Sequence, residues 1–176
     1  MPKRTIVVPL DGSDFGRQIV PQICRVCDPA NDMLMLVRVA DPADSILPVP
    51  PRPVSAAWTQ PMYESARDVE YAAHPIYASQ LEQSERDELE QSLLADKQLL
   101  EAAGFEVHLD VRFGDPADEI AAAATQHAAD MVAMATHGRS GLRQLLMGSV
   151  AKQVLRQVSI PVLLWRPFTE QLELLN

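Results

Sequence analysis

Residues 131–149 read MVAMATHGRSGLRQLLMGS, and this stretch decides the fold of the chain. Its apolar start predicts a short buried strand, and the loop that follows holds Gly138, Gly141 and Gly148 before Ser149 begins a helix-like run. Glycine lets a backbone approach an anion closely, and the first N–H groups of a helix have no partner within it. A strand, a glycine-rich loop and a helix start therefore predict a phosphate site, with a plain glycine connection as the alternative.

The spacing of these glycines differs from the two best-known phosphate-binding motifs. A P-loop needs a lysine directly after its last glycine, whereas Ser149 follows Gly148. Gly138 and Gly141 match the last two glycines of the dinucleotide fingerprint GxGxxG, but its first glycine is missing. The loop alone thus indicates a nucleotide phosphate without naming the nucleotide.

Strand and helix patterns alternate along the rest of the chain. Helical spacing first recurs at Ile19, Val20, Ile23 and Val26, with Pro21 as a first-turn kink, and Gly104 is expected to end a long later helix. The predicted strands are 5–10, 33–39, 105–112, 131–135 and 161–165, and the later helices are 78–103, 117–128 and 149–157. This order predicts an α/β fold, a doubly wound, Rossmann-like, five-stranded parallel sheet between layers of helices.

In such a sheet, ligands bind outside the carboxyl ends of the strands, where the strand order reverses. Asp11 and Gly138 both follow predicted strands, so we expect them to share one crevice. The Asp11 carboxylate is suited to accepting hydrogen bonds from a ribose hydroxyl or an adenine amine. Helix capping or a turn is its alternative role.

Composition excludes several classes of protein. The chain has 176 residues, 47% of them hydrophobic, which suits one domain with a substantial core. A formal net charge of −9 gives no electrostatic footprint for nucleic acid or an anionic membrane. Since no apolar run approaches ~20 residues and the N-terminal run is too short for a signal peptide, we expect a cytoplasmic protein.

Two further features carry no clear chemistry. Residues 42–61 contain six prolines and predict a long surface loop, either a contact segment or an indifferent insertion. Cys24 and Cys27 form a CxxC near the end of the first helical run, where the helix dipole opposes a thiolate. Because no other cysteine is present to complete a zinc site, we interpret the pair as ordinary helix residues.

The chain shows no catalytic set. His137 adjoins Gly138 but has no partner in sequence, and the other histidines, His74, His108 and His127, lack metal-ligand spacing. Neither GxSxG nor HExxH occurs. We therefore expect no catalytic residues and no resident metal, with at most slow hydrolysis of a bound nucleotide.

The loop resembles the signature of the universal stress protein family: a glycine, two residues, a second glycine, nine residues, then glycine and serine or threonine. Gly138 matches the second glycine and Gly148-Ser149 the end of the motif, while Ala135 occupies the position of the first glycine. Residues 6–13, 114–116 and 159–164 are also similar to the family. The resemblance covers nearly all of the chain except about 42–80 and the tail.

The resemblance implies a nucleotide-binding domain over residues 1–167, with a Pro-rich insertion at about 42–78 and a C-terminal tail at 168–176. It implies ATP as the ligand, with Mg²⁺ arriving on the phosphates. The implied ATP-binding residues are Pro9, Leu10, Asp11, Val39, Gly138, Arg139, Gly141, Gly148, Ser149 and Val150. Among them, the 9–11 turn touches adenosine, the Val39 backbone reads the adenine edge, and the others bind phosphate.

The family resemblance also implies a homodimer paired through the last strand, at Val162, Leu163 and Leu164. Pro161 restricts that pairing because it has no N–H. The function implied is an ATP-binding module of the stress response. One alternative, supported by Ala135, is a dimeric interaction protein of the same fold that binds no nucleotide. An adenylating enzyme of the related adenine nucleotide alpha-hydrolase type ranks lower, because its glycine-rich turn is missing at 10–13.

Overall fold

The computed structural model describes residues 2–40, 75–136 and 147–166. Its strands are β1 (Arg4–Pro9), β2 (Asp32–Ala40), β3 (Glu106–Phe113), β4 (Met131–Ala135) and β5 (Val162–Trp165). Its helices are α1 (Asp14–Arg17), α2 (Val20–Val26), α3 (Pro75–Ala102), α4 (Pro116–Gln126) and α5 (Ser149–Gln157). All the strand pairs are parallel, in the order β3-β2-β1-β4-β5. The predicted doubly wound α/β fold is confirmed.

Strand β1 is the centre of the sheet and is buried on both faces. Ile6 and Val8 point to a core shared with α2 and α3, and Val7 points to a second core shared with α4 and α5. Side chains alternate between the faces of a strand, so an unbroken apolar run needs helices on both sides. The layers of helices follow from this pattern.

The first predicted helix is two helices in the structure. Pro21 lies in the first turn of α2, where its missing N–H disrupts no intrahelical bond, so the chain ends α1 at Arg17 and begins again at Val20. Val26 shares the predicted helical spacing but lies outside the buried stripe of the helix, since it is 59% exposed. The stripe instead continues from Ile19 and Ile23 to Cys27, at intervals of one helical turn.

The ends of the later helices follow local sequence. Helix α3 begins at Pro75, inside the segment that we assigned to the insertion, and the rest of that insertion lies outside the described residues. The predicted stop at Gly104 is confirmed by its φ of +95° and by a 3.1 Å hydrogen bond from the Phe105 N–H to the Leu100 carbonyl. Helix α4 ends at Gln126, two residues before the predicted end, because Ala128 takes a φ of +46°.

Candidate functional site at the carboxyl edge of the sheet

The chain leaves β1 through a tight turn organised by Asp11. Asp11 Oδ1 accepts hydrogen bonds from the Ser13 N–H at 3.0 Å and from the Ser13 hydroxyl at 2.6 Å. Ser13 Oγ in turn accepts from the Gly16 N–H at 2.9 Å, which caps α1. Gly12 has a φ of +77°, a conformation that favours glycine. The turn role of the Asp11 carboxylate is therefore observed, and any ligand contact is additional to it.

Gly16 is a residue of this turn that the sequence analysis did not single out. A Cβ on Gly16 would clash with Asp11 Oδ1 and would lie 3.2 Å from Ser13 Oγ. Only glycine leaves room for the carboxylate to reach Ser13. No sequence motif marks this requirement, because it depends on how α1 folds back over the turn.

Pro9 and Leu10 lead into the turn and lie beside the adjacent strand β2. Leu10 is 2% exposed, and its N–H donates to the Val37 carbonyl at 2.9 Å. The Leu10 carbonyl accepts a 3.1 Å hydrogen bond from Arg38 Nη1. Sequence reasoning missed Arg38, although a single charged residue inside the apolar strand 33–40 (MLMLVRVA) was a usable signal.

Val39 lies near the carboxyl end of β2, past the last ladder pair with β1, which is Pro9 with Val37. Because the Val37 carbonyl points towards β1, the backbone of Val39, two residues later, points the same way. There the strand β1 has ended. The geometry thus directs the Val39 backbone towards the space above β1, as a role in reading a base edge requires.

Gly148 closes the glycine-rich loop onto its own start. Its N–H donates to the Thr136 carbonyl at 2.8 Å, and the Thr136 N–H donates to the Trp165 carbonyl at 2.8 Å. A Cβ on Gly148 would lie 2.8 Å from the Thr136 oxygen, so a larger residue would push the loop open. A substitution at Gly148 would therefore alter the loop as well as any phosphate contact. Gly138, Arg139 and Gly141, with His137, lie outside the described residues.

The beginning of α5 is suited to an anion. Gly148 is its N-cap residue, and no described side chain caps the first turn, which holds no acidic residue. Ser149, exposed, and Val150, half-buried, are its first helical residues, so Ser149 does not occupy the cap position. At α4, by contrast, the Asp115 carboxylate accepts from two first-turn N–H groups. The first N–H groups of α5, which have no partner among the described residues, and the helix dipole favour a negative ligand.

The register of the sheet brings the turn and the helix start together. Ile6 pairs with Met131 in the parallel ladder of β1 and β4, so continuing the register sets Asp11 level with Thr136. Strand order reverses between these two strands, since β2 and β3 lie on one side and β5 on the other. The Asp11 turn and the Gly148 cap therefore flank the crevice that this class of sheet uses for ligands.

The CxxC is a structural feature of α2. Cys24 is exposed and Cys27 is buried at the C-cap of the helix. Burial, with the nearby Asp32 carboxylate, raises the pKa of the Cys27 thiol to about 11. At neutral pH this thiol is protonated, which suits a packed residue and not a redox nucleophile.

The described histidines belong to small polar pairs away from the crevice. His108 Nε2 lies 3.1 Å from Glu106 Oε1, and His127 Nε2 lies 2.8 Å from Asp110 Oδ2. Within residues 2–40, 75–136 and 147–166, no cluster of three or more His, Cys, Asp or Glu residues is arranged to hold a metal ion. In the same part of the chain, no helix is both long and apolar enough to cross a membrane.

A parallel sheet with a strand-end turn and an uncapped helix meeting at its switch point defines the doubly wound α/β proteins that hold a ligand at the carboxyl edge. Comparison with known proteins specifies the class further. The model of the universal stress protein family matches residues 3–166, and the chain belongs to this family.

Relatives of the chain carry the same fold. It is 25% identical to a universal stress protein of Methanocaldococcus jannaschii over 91% of this chain and 80% of that protein. A solved structure of a second universal stress protein of that organism superposes with a TM-score of 0.69 at 21% identity, over 96% of this chain and 99% of the other.

Two further structures of similar fold hold a bound nucleotide. One is a universal stress protein in complex with cAMP, with a TM-score of 0.56, 20% identity and coverage of 94% of this chain and 98% of that one. The other is an Arabidopsis thaliana member with AMP bound, with a TM-score of 0.56, 13% identity and coverage of 96% and 94%.

Proposed function

We propose that this universal stress protein binds ATP at the carboxyl edge of its sheet and acts as a nucleotide-dependent module of the stress response. The observation that carries the proposal is the start of α5, which is closed onto Thr136 by Gly148 and lacks both a described side-chain cap and an acidic first turn. An anion bound here would accept hydrogen bonds from the first N–H groups of α5, as the Asp115 carboxylate does from those of α4.

The two sides of the crevice bind opposite ends of the ligand. The phosphates lie at the N–H groups of Ser149 and Val150, with Gly138, Arg139 and Gly141 of the loop as further contacts. The Pro9–Asp11 turn and the Val39 backbone take the ribose and the adenine. Mg²⁺ bound to the phosphates would neutralise part of their charge. The cAMP and AMP found in relatives of this fold support an adenine nucleotide as the ligand.

Ala135 is compatible with this site. It ends β4 in ladder register with Trp165, and its φ is not positive, so the backbone here does not require glycine. The methyl group of Ala135 adds bulk without straining the strand. We therefore keep ATP binding as the leading function and the nucleotide-free interaction protein as the alternative.

The proposed homodimer rests on strand β5. It forms one edge of the sheet, and its residues Val162, Leu163, Leu164 and Trp165 are all only half-buried. An apolar edge strand presents both backbone groups and side chains to a partner strand. A second copy of β5 is the partner we propose.

The test of the phosphate site is Ser149→Asp, with Ser149→Asn as the matched control. An acidic residue in the first turn of α5 interacts favourably with the helix dipole but repels phosphate. We expect Ser149→Asp to raise the Kd for ATP about tenfold or more, with a smaller effect for ADP and the smallest for AMP. Isothermal titration calorimetry measures these affinities, and the Tm should not fall.

Ser149→Asn has nearly the same shape without the charge and should bind ATP much as the wild type does. An unchanged ATP affinity in a folded Ser149→Asp protein would place the phosphates elsewhere. Equal losses in both variants would mean that the hydroxyl or local packing, not charge at the helix start, controls affinity.

A further inference from the structure

Arg38 is the one described charged residue of β2 that is buried at the carboxyl edge, next to the Asp11 turn. We propose that Arg38 is a positioning residue of the nucleotide site, one that fixes the Leu10–Gly12 turn and so presents Asp11 to the ribose and adenine end of the ligand. This inference rests on the proposed function and adds to it the residue that sets recognition of the nucleoside.

Two consecutive residues of β2 hold Leu10 from both ends of its backbone. The Val37 carbonyl accepts the Leu10 N–H at 2.9 Å, and Arg38 Nη1 donates to the Leu10 carbonyl at 3.1 Å. The first bond extends the ladder of β1 and β2, whereas the second replaces a ladder bond with a side chain. The path of the chain beyond Leu10 is therefore set by the Arg38 guanidinium.

The same guanidinium packs against Gly12. A Cβ on Gly12 would lie 3.0 Å from Arg38 Nη2, 3.1 Å from Nη1 and 3.2 Å from Cζ. The planar group thus covers the α-carbon of the one turn residue with positive φ. Asp11 lies between the two contacts, with its Oδ1 oriented towards Ser13.

Burying a guanidinium group at this position is energetically unfavourable. Leu34 and Leu36, which lie on the same face of β2 as Arg38, are fully buried, and Arg38 is only 7% exposed. Burial of a charge is unfavourable unless hydrogen bonds compensate it, so an apolar residue would extend the core at lower cost. The contacts with Leu10 and Gly12 give this chain a reason to keep arginine there, because a planar fork can reach both.

The test compares Arg38→Met with Arg38→Lys and with the control Arg86→Met. Arg86, on helix α3, makes the same type of contact with another strand, since its Nη1 donates to the Val111 carbonyl of β3 at 2.6 Å. Two quantities are measured: amide hydrogen exchange at Ser13 and Gly16 without nucleotide, and the Kd values for AMP, ADP and ATP. Circular dichroism verifies that each variant is folded.

We expect Arg38→Met to speed exchange at Ser13 and Gly16 and to raise all three Kd values by the same factor, about tenfold, the size of one lost hydrogen bond to a charged group. A uniform factor identifies the nucleoside end, because loss at the phosphates would grow from AMP to ATP. Arg38→Lys should recover part of the affinity, since its ammonium group can reach the Leu10 carbonyl without covering Gly12. Arg86→Met should behave as the wild type.

Wild-type exchange rates in Arg38→Met would overturn the inference, as would a Kd increase that grows with the number of phosphates. If the wild-type protein binds none of the three nucleotides, the proposed function fails and the recognition role of Arg38 fails with it. The exchange measurement then still distinguishes failure of the proposed function from failure of the inference about the turn. Faster exchange in Arg38→Met would show that Arg38 holds the turn in a protein that binds no nucleotide.

Discussion

At the scale of single residues, the ends of helices and strands depend more on where glycine is present or missing than on the apolar pattern. Gly16 and Gly148 are required because a Cβ on either residue would come too close to a neighbouring oxygen, that of the Asp11 carboxylate or the Thr136 carbonyl. Neither close approach follows from the sequence, because the opposing atoms belong to Asp11 and Thr136 on other elements. By contrast, the stop at Gly104 was predictable, since a glycine after a helical run marks a local C-cap.

Ala128 is a residue at which the chain departs from this rule. It follows the C-cap residue of α4 with a φ of +46°, and the Ala129 N–H donates to the Ala124 carbonyl at 2.8 Å, an arrangement in which this position is usually glycine. We expect Ala128→Gly to stabilise the protein by about 0.5–1 kcal/mol by removing left-handed strain. Urea denaturation measures the change.

The control is Ala122→Gly, which changes an exposed alanine inside α4 and should destabilise by about 1 kcal/mol. Destabilisation of both variants by similar amounts would mean that Ala128 is not strained.

At the scale of elements, strand order and helix layers could be predicted because they depend on apolar runs and their alternation. The division of the first helix into α1 and α2 could not, since Pro21 is compatible with either a kink or a new start. Arg38 escaped notice for a related reason: the apolar run of β2 predicted a buried strand, and the charge inside it was not weighed. The ATP-binding roles assigned from the sequence remain predictions for all ten residues, and Gly138, Arg139 and Gly141 also lie outside the described residues.

The backbone orientation of strand β5 determines which of its residues can pair with a partner strand. The Pro161 and Trp165 carbonyls accept from Val132 and Thr136 of the β4 side, so alternate residues point inwards and the backbone of Val162 and Leu164 points to the outer edge. The missing N–H of Pro161 therefore faces β4 and does not restrict a partner, contrary to our expectation from the sequence.

We expect Leu164→Pro to give a folded monomer, because it removes an outward N–H, and proline is tolerated at such edge positions. Leu163→Pro removes an inward N–H of the β4 ladder and should unfold the protein instead. Sedimentation velocity of the wild type and of Leu164→Pro measures the oligomeric state. A wild-type monomer, or a Leu164→Pro dimer, would contradict pairing through β5.

At the scale of the whole molecule, the fold joins two segments that are distant in sequence into one crevice. The Asp11 turn and the Gly148 cap are brought level by the pairing of β1 with β4. This meeting was predictable from the parallel sheet, because carboxyl ends of parallel strands share one edge. The interior contacts that hold the crevice in shape, through Arg38, Gly16 and Thr136, required the structure.

The most direct test of the account is the nucleotide content of the purified protein, released by acid, followed by calorimetric titration of the emptied protein with ATP. We predict that an adenine nucleotide is released, or that ATP binds in the micromolar range, and that GTP binds more weakly. Failure to bind ATP at millimolar concentration would contradict the account and favour a dimeric interaction protein in which Ala135 closes the site.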